Sequence, residues 1–489
     1  MRATRVLTAI APLSLLIACK DAPEPTELEP AVTAAGPAAA LKGRWSAPFS
    51  TPVVAVHVHL LPTGKVLLWG HKGESRLWDP ANPSAGFTEV TKTYDFFCSG
   101  HTFLADGRLL VTGGTIGGTH GDPRSAVFTS AGSWVGTTTM AQGRYYPTLT
   151  TLSNGNVLAL SGSDENNDVV DIPEVWNGRT WRRLTTASLA IPAPYYPAVF
   201  VAPNGRVFLA GFPATSRYLA TGGTGKWITV GARTVADRRM GSAVSYAPGK
   251  ILYVGGGDPP TKSAEVIDLT DPSPSWRAVP GMAFARRQLN ATILADGQVL
   301  VTHGTSGPGF NNTAASVRAA ELWNPTTESW STMAVEAKLR SYHSTAILLP
   351  DARVLSSGSG EGGGVEFEQS EFSAQIFSPP YLFNPDGTPA SRPVISSAPS
   401  KLSYGQSFVV QTPAAGSVTR GTLIRLSSVT HAFNMSQLIV PLNFTAVNST
   451  SVRATAPGSG KLAPPGPYML FLLNGEGVPS KAKILTVGP

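Results

Sequence analysis

A unit that recurs along most of this chain leaves few folds open to it. From about residue 52 an apolar run leads into a tight turn, a second apolar run ends in small residues, and a later segment closes on an aromatic. The turns are Thr63-Gly64, Asp106-Gly107, Asn154-Gly155, Asn204-Gly205, Pro248-Gly249, Asp296-Gly297 and a degenerate Asp351-Ala352, spaced 43 to 55 residues apart. Asp-Gly and Asn-Gly between alternating apolar runs signal hairpins, because glycine supplies the positive φ that the turn requires. A repeat of this length that cannot bury its own apolar face has to stack on its neighbours.

The period is that of kelch repeats. Gly113-Gly114, Gly255-Gly256 and a series of tryptophans near the unit ends, Trp134, Trp181, Trp227, Trp276 and Trp330, fit the same pattern. The expected fold is all-β: a seven-bladed kelch-type β-propeller over residues 43–389, since closing a ring of blades leaves only short, protected edges. The period stops after Phe377-Ser378-Pro379-Pro380-Tyr381-Leu382. Residues 390–489 alternate as in Ser407-Phe408-Val409-Val410-Gln411, which predicts an immunoglobulin-like (E-set) β-sandwich. The 50 Gly, 41 Pro and only 14% charged residues favour strands and turns over long helices. The net charge of +7 is scattered and forms no basic stripe, so a nucleic-acid partner is not expected.

Upstream of the repeats, Arg2 and Arg5 precede an apolar stretch to Ala18 that is too short to span a bilayer. Residues 1–18 read as a signal peptide. The ending Leu16-Ile17-Ala18-Cys19 resembles a bacterial lipobox, in which Cys19 would be lipidated, and residues 19–42 form a Pro/Ala-rich tether. An exported protein, anchored to a membrane or cell surface through lipid alone, is expected. Cys98 is the second of the two cysteines and is then left without a disulfide partner.

The repeat also serves as a ruler. Cys98 lies nine residues before Gly107, Tyr146 nine before Gly155, and His343 nine before Ala352, with Tyr342 one residue earlier. Equivalent positions in neighbouring blades meet at one mouth of the central channel. Adjacent residues of a regular strand point apart, so Tyr342 and His343 can serve one site only if the chain is irregular there.

Phe97-Cys98-Ser99-Gly100, Arg144-Tyr145-Tyr146-Pro147, Arg340-Ser341-Tyr342-His343, Thr430-His431-Ala432-Phe433-Asn434 and Pro465-Gly466-Pro467-Tyr468-Met469-Leu470-Phe471 occur in the order seen in copper radical oxidases. Over residues 45–489 the chain resembles galactose oxidase and, more closely in architecture, glyoxal oxidase. The resemblance implies that Cys98 and Tyr146 form a thioether cross-link whose tyrosine holds a radical. It further implies that Tyr342 takes the substrate's hydroxyl proton, and that Tyr146, Tyr342, His343 and His431 bind Cu(2+). Such an N/O donor set suits Cu(II). Copper lowers the phenol pKa, which lets Tyr342 act as a base.

The implied reaction is two-electron oxidation of a primary alcohol, aldehyde or carbohydrate by O2, yielding hydrogen peroxide, in a monomer without an organic cofactor. Counting on from Tyr146 places Asp164 where galactose oxidase has a tryptophan over its cross-link, which disfavours galactose as substrate. His57, His59, His71, His101, His120 and His303 lie outside the matched motifs and read as structural, with His101 close to Cys98. The alternative to an oxidase is a kelch-plus-sandwich module that binds a polysaccharide or protein without redox activity.

Overall fold

The structure, a computed structural model, describes residues 36–192, 196–236, 238–362 and 364–489. The expected signal peptide, Cys19 and most of the tether lie outside the described residues. Each hairpin of the repeat opens an antiparallel sheet. Blade 1 runs His57–Leu60, Val66–Trp69, Ser75–Trp78, Phe87–Val90; blade 2 begins at Gly100–Phe103, blade 3 at Thr148–Thr151 and blade 4 at Ala198–Val201. Blades 5, 6 and 7 begin at Ser242–Ala247, Asn290–Ile293 and Ser344–Leu348. The first strands are almost wholly buried, so both of their faces are apolar or hydrogen-bonded.

The ring is closed by the chain's own beginning. Arg44–Trp45 and Phe49–Ser50 pair with Ser373–Ser378, the third strand of blade 7, and so supply its outer edge from the other end of the propeller. The tryptophan series has a shared task. Trp134, Trp181, Trp227, Trp276 and Trp330 donate their indole N–H to Ser75 Oγ, Thr138 O, Ala187 O, Ser216 Oγ and Pro280 O, each in or just after the preceding blade. Trp45 does the same for blade 7 by reaching Ala334 O. Each indole therefore satisfies its one donor across a blade junction, and Trp134 and Trp276 are buried there as well.

A second repeated device lies nearer the channel. Arg144, Arg238 and Arg286 stand eleven residues before their turn glycines and Arg340 twelve before Ala352. All four are fully buried, and they pair with Glu174, Glu265, Glu321 and Glu336 at 3.0, 2.8, 2.6 and 2.7 Å. Each guanidinium also donates to carbonyls of its own blade, for example Arg144 to Ser161 O and Ile172 O. These bonds compensate the desolvation of the charges and fix the loop that enters the first strand.

Residues 401–488 form two further sheets. One has five strands, including Gly466–Asn474 and Val418–Arg425; the other has three and faces it across a core built on Phe408, Leu423, Val452, Tyr468 and Leu470. One hairpin leaves this unit. Ser428–Thr430 pairs with His57–His59 of blade 1 and then with Phe433–Asn434, which carries the turn residue His431 into the propeller's channel.

Candidate metal centre

The position nine residues before the turn is occupied around the ring by Ala55, Cys98, Tyr146, Tyr196, Met240, Gln288 and His343. Five of them are left-handed: Cys98 (φ 59°), Tyr146 (65°), Met240 (60°), Gln288 (60°) and His343 (64°). Side chains rarely adopt this conformation, and its recurrence marks a common kink at the strand entrances. The kink breaks the alternation of side chains, so Tyr342 and His343 lie on one side with their rings stacked at 3.8 Å. His431, also left-handed at φ 46°, meets them from the inserted hairpin.

The five matched residues come together. The Tyr146 and Tyr342 hydroxyls are 2.5 Å apart. The His431 ring lies 4.4 Å from His343, 4.8 Å from Tyr146 and 5.5 Å from Tyr342, between ring centres. Cys98 Sγ is 3.8 Å from His431 Nε2, and donor atoms of Cys98, His343 and His431 all lie within 4.8 Å of one another. Burial raises the Cys98 thiol's pKa, against hydrogen bonding with the phenols of Tyr145 and Tyr146. Burial, then the neighbouring thiol and Tyr342, likewise hold Tyr146 well above the usual phenol range.

Hydrogen bonding fixes which imidazole nitrogens are free. His343 Nδ1 is 2.6 Å from Gly360 O, a group that only accepts, so Nδ1 carries the proton and Nε2 a lone pair. Thr430 donates its hydroxyl to Val56 O at 2.9 Å and therefore accepts from His431 Nδ1 at 2.6 Å, leaving a lone pair on His431 Nε2. Burial pushes the His343 pKa down to about 3 and lowers that of His431, so both rings are neutral at physiological pH. His343 Nε2 is buried without a hydrogen-bond partner among the described residues. Two neutral imidazole lone pairs and two phenol oxygens brought this close together form a donor set that fits a copper ion.

Beneath this site the other channel histidines are joined to one another. The Cys98 backbone N–H donates to His57 Nε2, His57 Nδ1 to His101 Nε2, and His101 Nδ1 to Ser428 Oγ, at 3.1, 3.1 and 2.7 Å. Ser428 Oγ also lies 2.9 Å from His59 Nδ1 and donates to His101 O at 3.3 Å. The relay runs from the backbone of Cys98 to the sandwich's hairpin. Elsewhere, His71 stacks on Phe97 at 4.2 Å, His303 is tied to Ser356 at 2.7 Å, and the exposed His120 donates to Glu165 O.

Asp164 is buried, and its carboxylate accepts the backbone N–H groups of Asn166 and Asp168 within its own loop. The rings against Tyr146 are those of Tyr145 (4.4 Å), His431 (4.8 Å) and Tyr196 (5.1 Å), all edge-on. Tyr196, Met240 and Gln288 occupy positions that the nine-residue ruler marks, although the sequence reading did not single them out. A cavity of about 190 Å³ is lined by Met240, Gln288, Tyr342, His343 and His431, and an adjoining one of about 410 Å³ by Tyr196, Met240 and His431 among others.

Residues 250–381 match the family model "Glyoxal oxidase N-terminus", and residues 392–487 match "Galactose oxidase-like, Early set domain". Galactose oxidase of Gibberella zeae is 30% identical over 91% of this chain and 70% of its own length. The chain belongs to the copper radical oxidase family. Aldehyde oxidase GLOX of Vitis pseudoreticulata is 28% identical over 81% of this chain and 82% of its own. A fungal alcohol oxidase of the AA5 family, solved in complex with copper, superposes with a TM-score of 0.84 at 28% identity, over 91% of this chain and all of that one. As a copper radical oxidase, the protein couples two-electron oxidation of an alcohol or aldehyde to reduction of O2 to hydrogen peroxide, and its metal is copper.

Proposed function

We propose that His343, His431, Tyr146 and Tyr342 hold the copper, and that Cys98 and Tyr146 become joined by a thioether. The observation that carries this reading is the pair of imidazole Nε2 lone pairs beside two phenols whose oxygens are 2.5 Å apart. The thioether forms between Cys98 Sγ and a ring carbon of Tyr146. The thiol and ring hydrogens are lost, with O2 accepting the two electrons and two protons.

Bound copper supplies one of the two one-electron acceptors that the reaction needs. The oxidised, cross-linked Tyr146 supplies the other, and Tyr342 takes the proton of the substrate hydroxyl. The balance is RCH2OH + O2 → RCHO + H2O2 for a primary alcohol, and RCH(OH)2 + O2 → RCOOH + H2O2 for a hydrated aldehyde. Burial of the site keeps water from the oxidised tyrosine.

The same reading extends to the whole chain. Residues 1–18 export it, Cys19 is lipidated, residues 19–42 tether it to a membrane or cell surface, and it acts as a monomer there. Residues 43–389 form the catalytic propeller, and 390–489 supply His431. The test is peroxide release by the copper-loaded mature protein on a panel of primary alcohols, aldehydes and sugars. Release that vanishes in His431→Ala is the expected result. A copper-loaded, cross-linked protein that gives the same peroxide with and without His431 would refute the ligand assignment.

A further inference from the structure

We infer that Gln288 is a specificity-determining residue that selects hydrated aldehydes over simple primary alcohols by accepting a hydrogen bond from the second hydroxyl of the geminal diol. This rests on the oxidase reading above. Gln288 is 3% exposed and lines the 190 Å³ cavity with Tyr342, His343 and His431. Its amide nitrogen donates to Phe310 O at 2.5 Å, which settles the orientation of the amide, and Phe310 in turn packs edge-on against Tyr342 at 4.8 Å. The other end of the amide is therefore the oxygen, and Gln288 Oε1 is buried with no hydrogen-bond partner among the described residues.

A buried acceptor left unmatched is unfavourable, so a cavity that holds one discriminates for ligands bringing a donor. A primary alcohol has a single hydroxyl, and its proton goes to Tyr342. A hydrated aldehyde has two on the same carbon. With one hydroxyl engaged at Tyr342, the second lies a short distance away in the same cavity and needs an acceptor. Of the other residues on that wall, Met240 offers only a weak thioether acceptor, and Ser341, whose hydroxyl is already engaged with Asn311 Oδ1 at 2.8 Å, is the one further side-chain acceptor among the described residues. The imidazole lone pairs of His343 and His431 are committed to the metal.

The test compares wild type with Gln288→Leu and Gln288→Met, each first checked for unchanged copper content and for the loss of 2 Da that marks the cross-link. The ratio of kcat/KM for a small hydrated aldehyde to that for the primary alcohol of the same carbon chain is expected to fall roughly tenfold to a hundredfold in both variants, with the alcohol value changing less than about twofold. Independently of turnover, hydrated 1,1,1-trifluoroacetone, a geminal diol with no oxidisable C–H, is titrated calorimetrically into each protein. Its Kd is expected to rise at least about tenfold in the variants, while that of tert-butyl alcohol stays the same. An unchanged ratio, or equal losses on both substrates with an unchanged trifluoroacetone Kd, would overturn the assignment. Wild-type protein that carries copper and the cross-link but oxidises neither substrate would instead count against the oxidase reading.

Discussion

Two groups of histidines share the propeller's channel and differ in what surrounds their nitrogens. His343 at the mouth and His57, His59 and His101 below are fully buried, His431 at the mouth is half-buried, and burial lowers the pKa of each. In the lower group one bond settles the tautomers of His57 and His101. Because the Cys98 N–H can only donate, His57 Nδ1 must carry a proton, and the assignment passes on to His101, whose Nδ1–H donates to Ser428 Oγ. Both nitrogens of His57 and of His101 are taken up by these bonds, which leaves neither ring a lone pair for a cation. At the mouth the same reasoning leaves lone pairs. Residue type and burial alone do not separate ligand from scaffold; the hydrogen-bond partners do.

The largest effects should follow from removing a lone pair at the mouth. His343→Ala or His431→Ala is expected to weaken copper retention by more than the roughly 10–100-fold typical of an outer-shell change, and to abolish peroxide release. Metal analysis after dialysis against a chelator measures this. Equal retention by wild type and both variants would break the distinction between the two groups.

Next comes Cys98→Ala. Intact mass after copper treatment in air should show the loss of 2 Da in wild type and none in the variant, with oxidase activity sharply reduced while copper is still bound. A variant that keeps full activity would remove the cross-link from the mechanism, though not the ligands.

Much of the mouth was legible because a propeller turns sequence period into spatial proximity. The nine-residue ruler aligned Cys98, Tyr146 and His343 before any coordinates, and the same ruler marks Met240 and Gln288, whose chemistry gave no reason to stop at them. The kink that lets Tyr342 and His343 face one cavity was a condition on the sequence; the left-handed φ of His343 supplies it. The relay was not legible. It depends on Ser428 from a hairpin that pairs with blade 1, and no local pattern joins residues 327 apart. The arginine series was in plain view at Arg144 and Arg340, yet its role appears only once the buried glutamates of the blades are placed beside it.

A smaller effect tests the lower group. His101→Phe leaves His57 Nδ1–H without its acceptor, which costs about 1–3 kcal/mol, and removes one hydrogen bond of about 0.5–1.5 kcal/mol from Ser428 Oγ. Denaturant unfolding should therefore show a loss of about 1.5–4.5 kcal/mol, with copper still bound at the mouth. His101→Asn, which can still donate toward Ser428, and His101→Gln, which can still face His57, should each lose less. A loss of copper equal to that in His343→Ala would merge the two groups.

The gentlest probe is acid. His101 has its pKa lowered from 6.5 to about 3, and those of His59 and His303 are lowered as well, burial being the first cause in each. Below pH 6.5 the unfolded chain takes up protons that these folded rings refuse, so stability is constant with respect to them above that value and falls as the pH drops toward 3. Each ring contributes a slope of about 1.4 kcal/mol per pH unit in that window. In His101→Phe one such slope is removed, so the variant, less stable at pH 7.5, should draw closer to wild type as the pH is lowered from 6.5 to 4.5. Parallel stability curves over that range would mean that His101 is protonated in the folded protein, and the tautomers assigned to the relay would no longer stand.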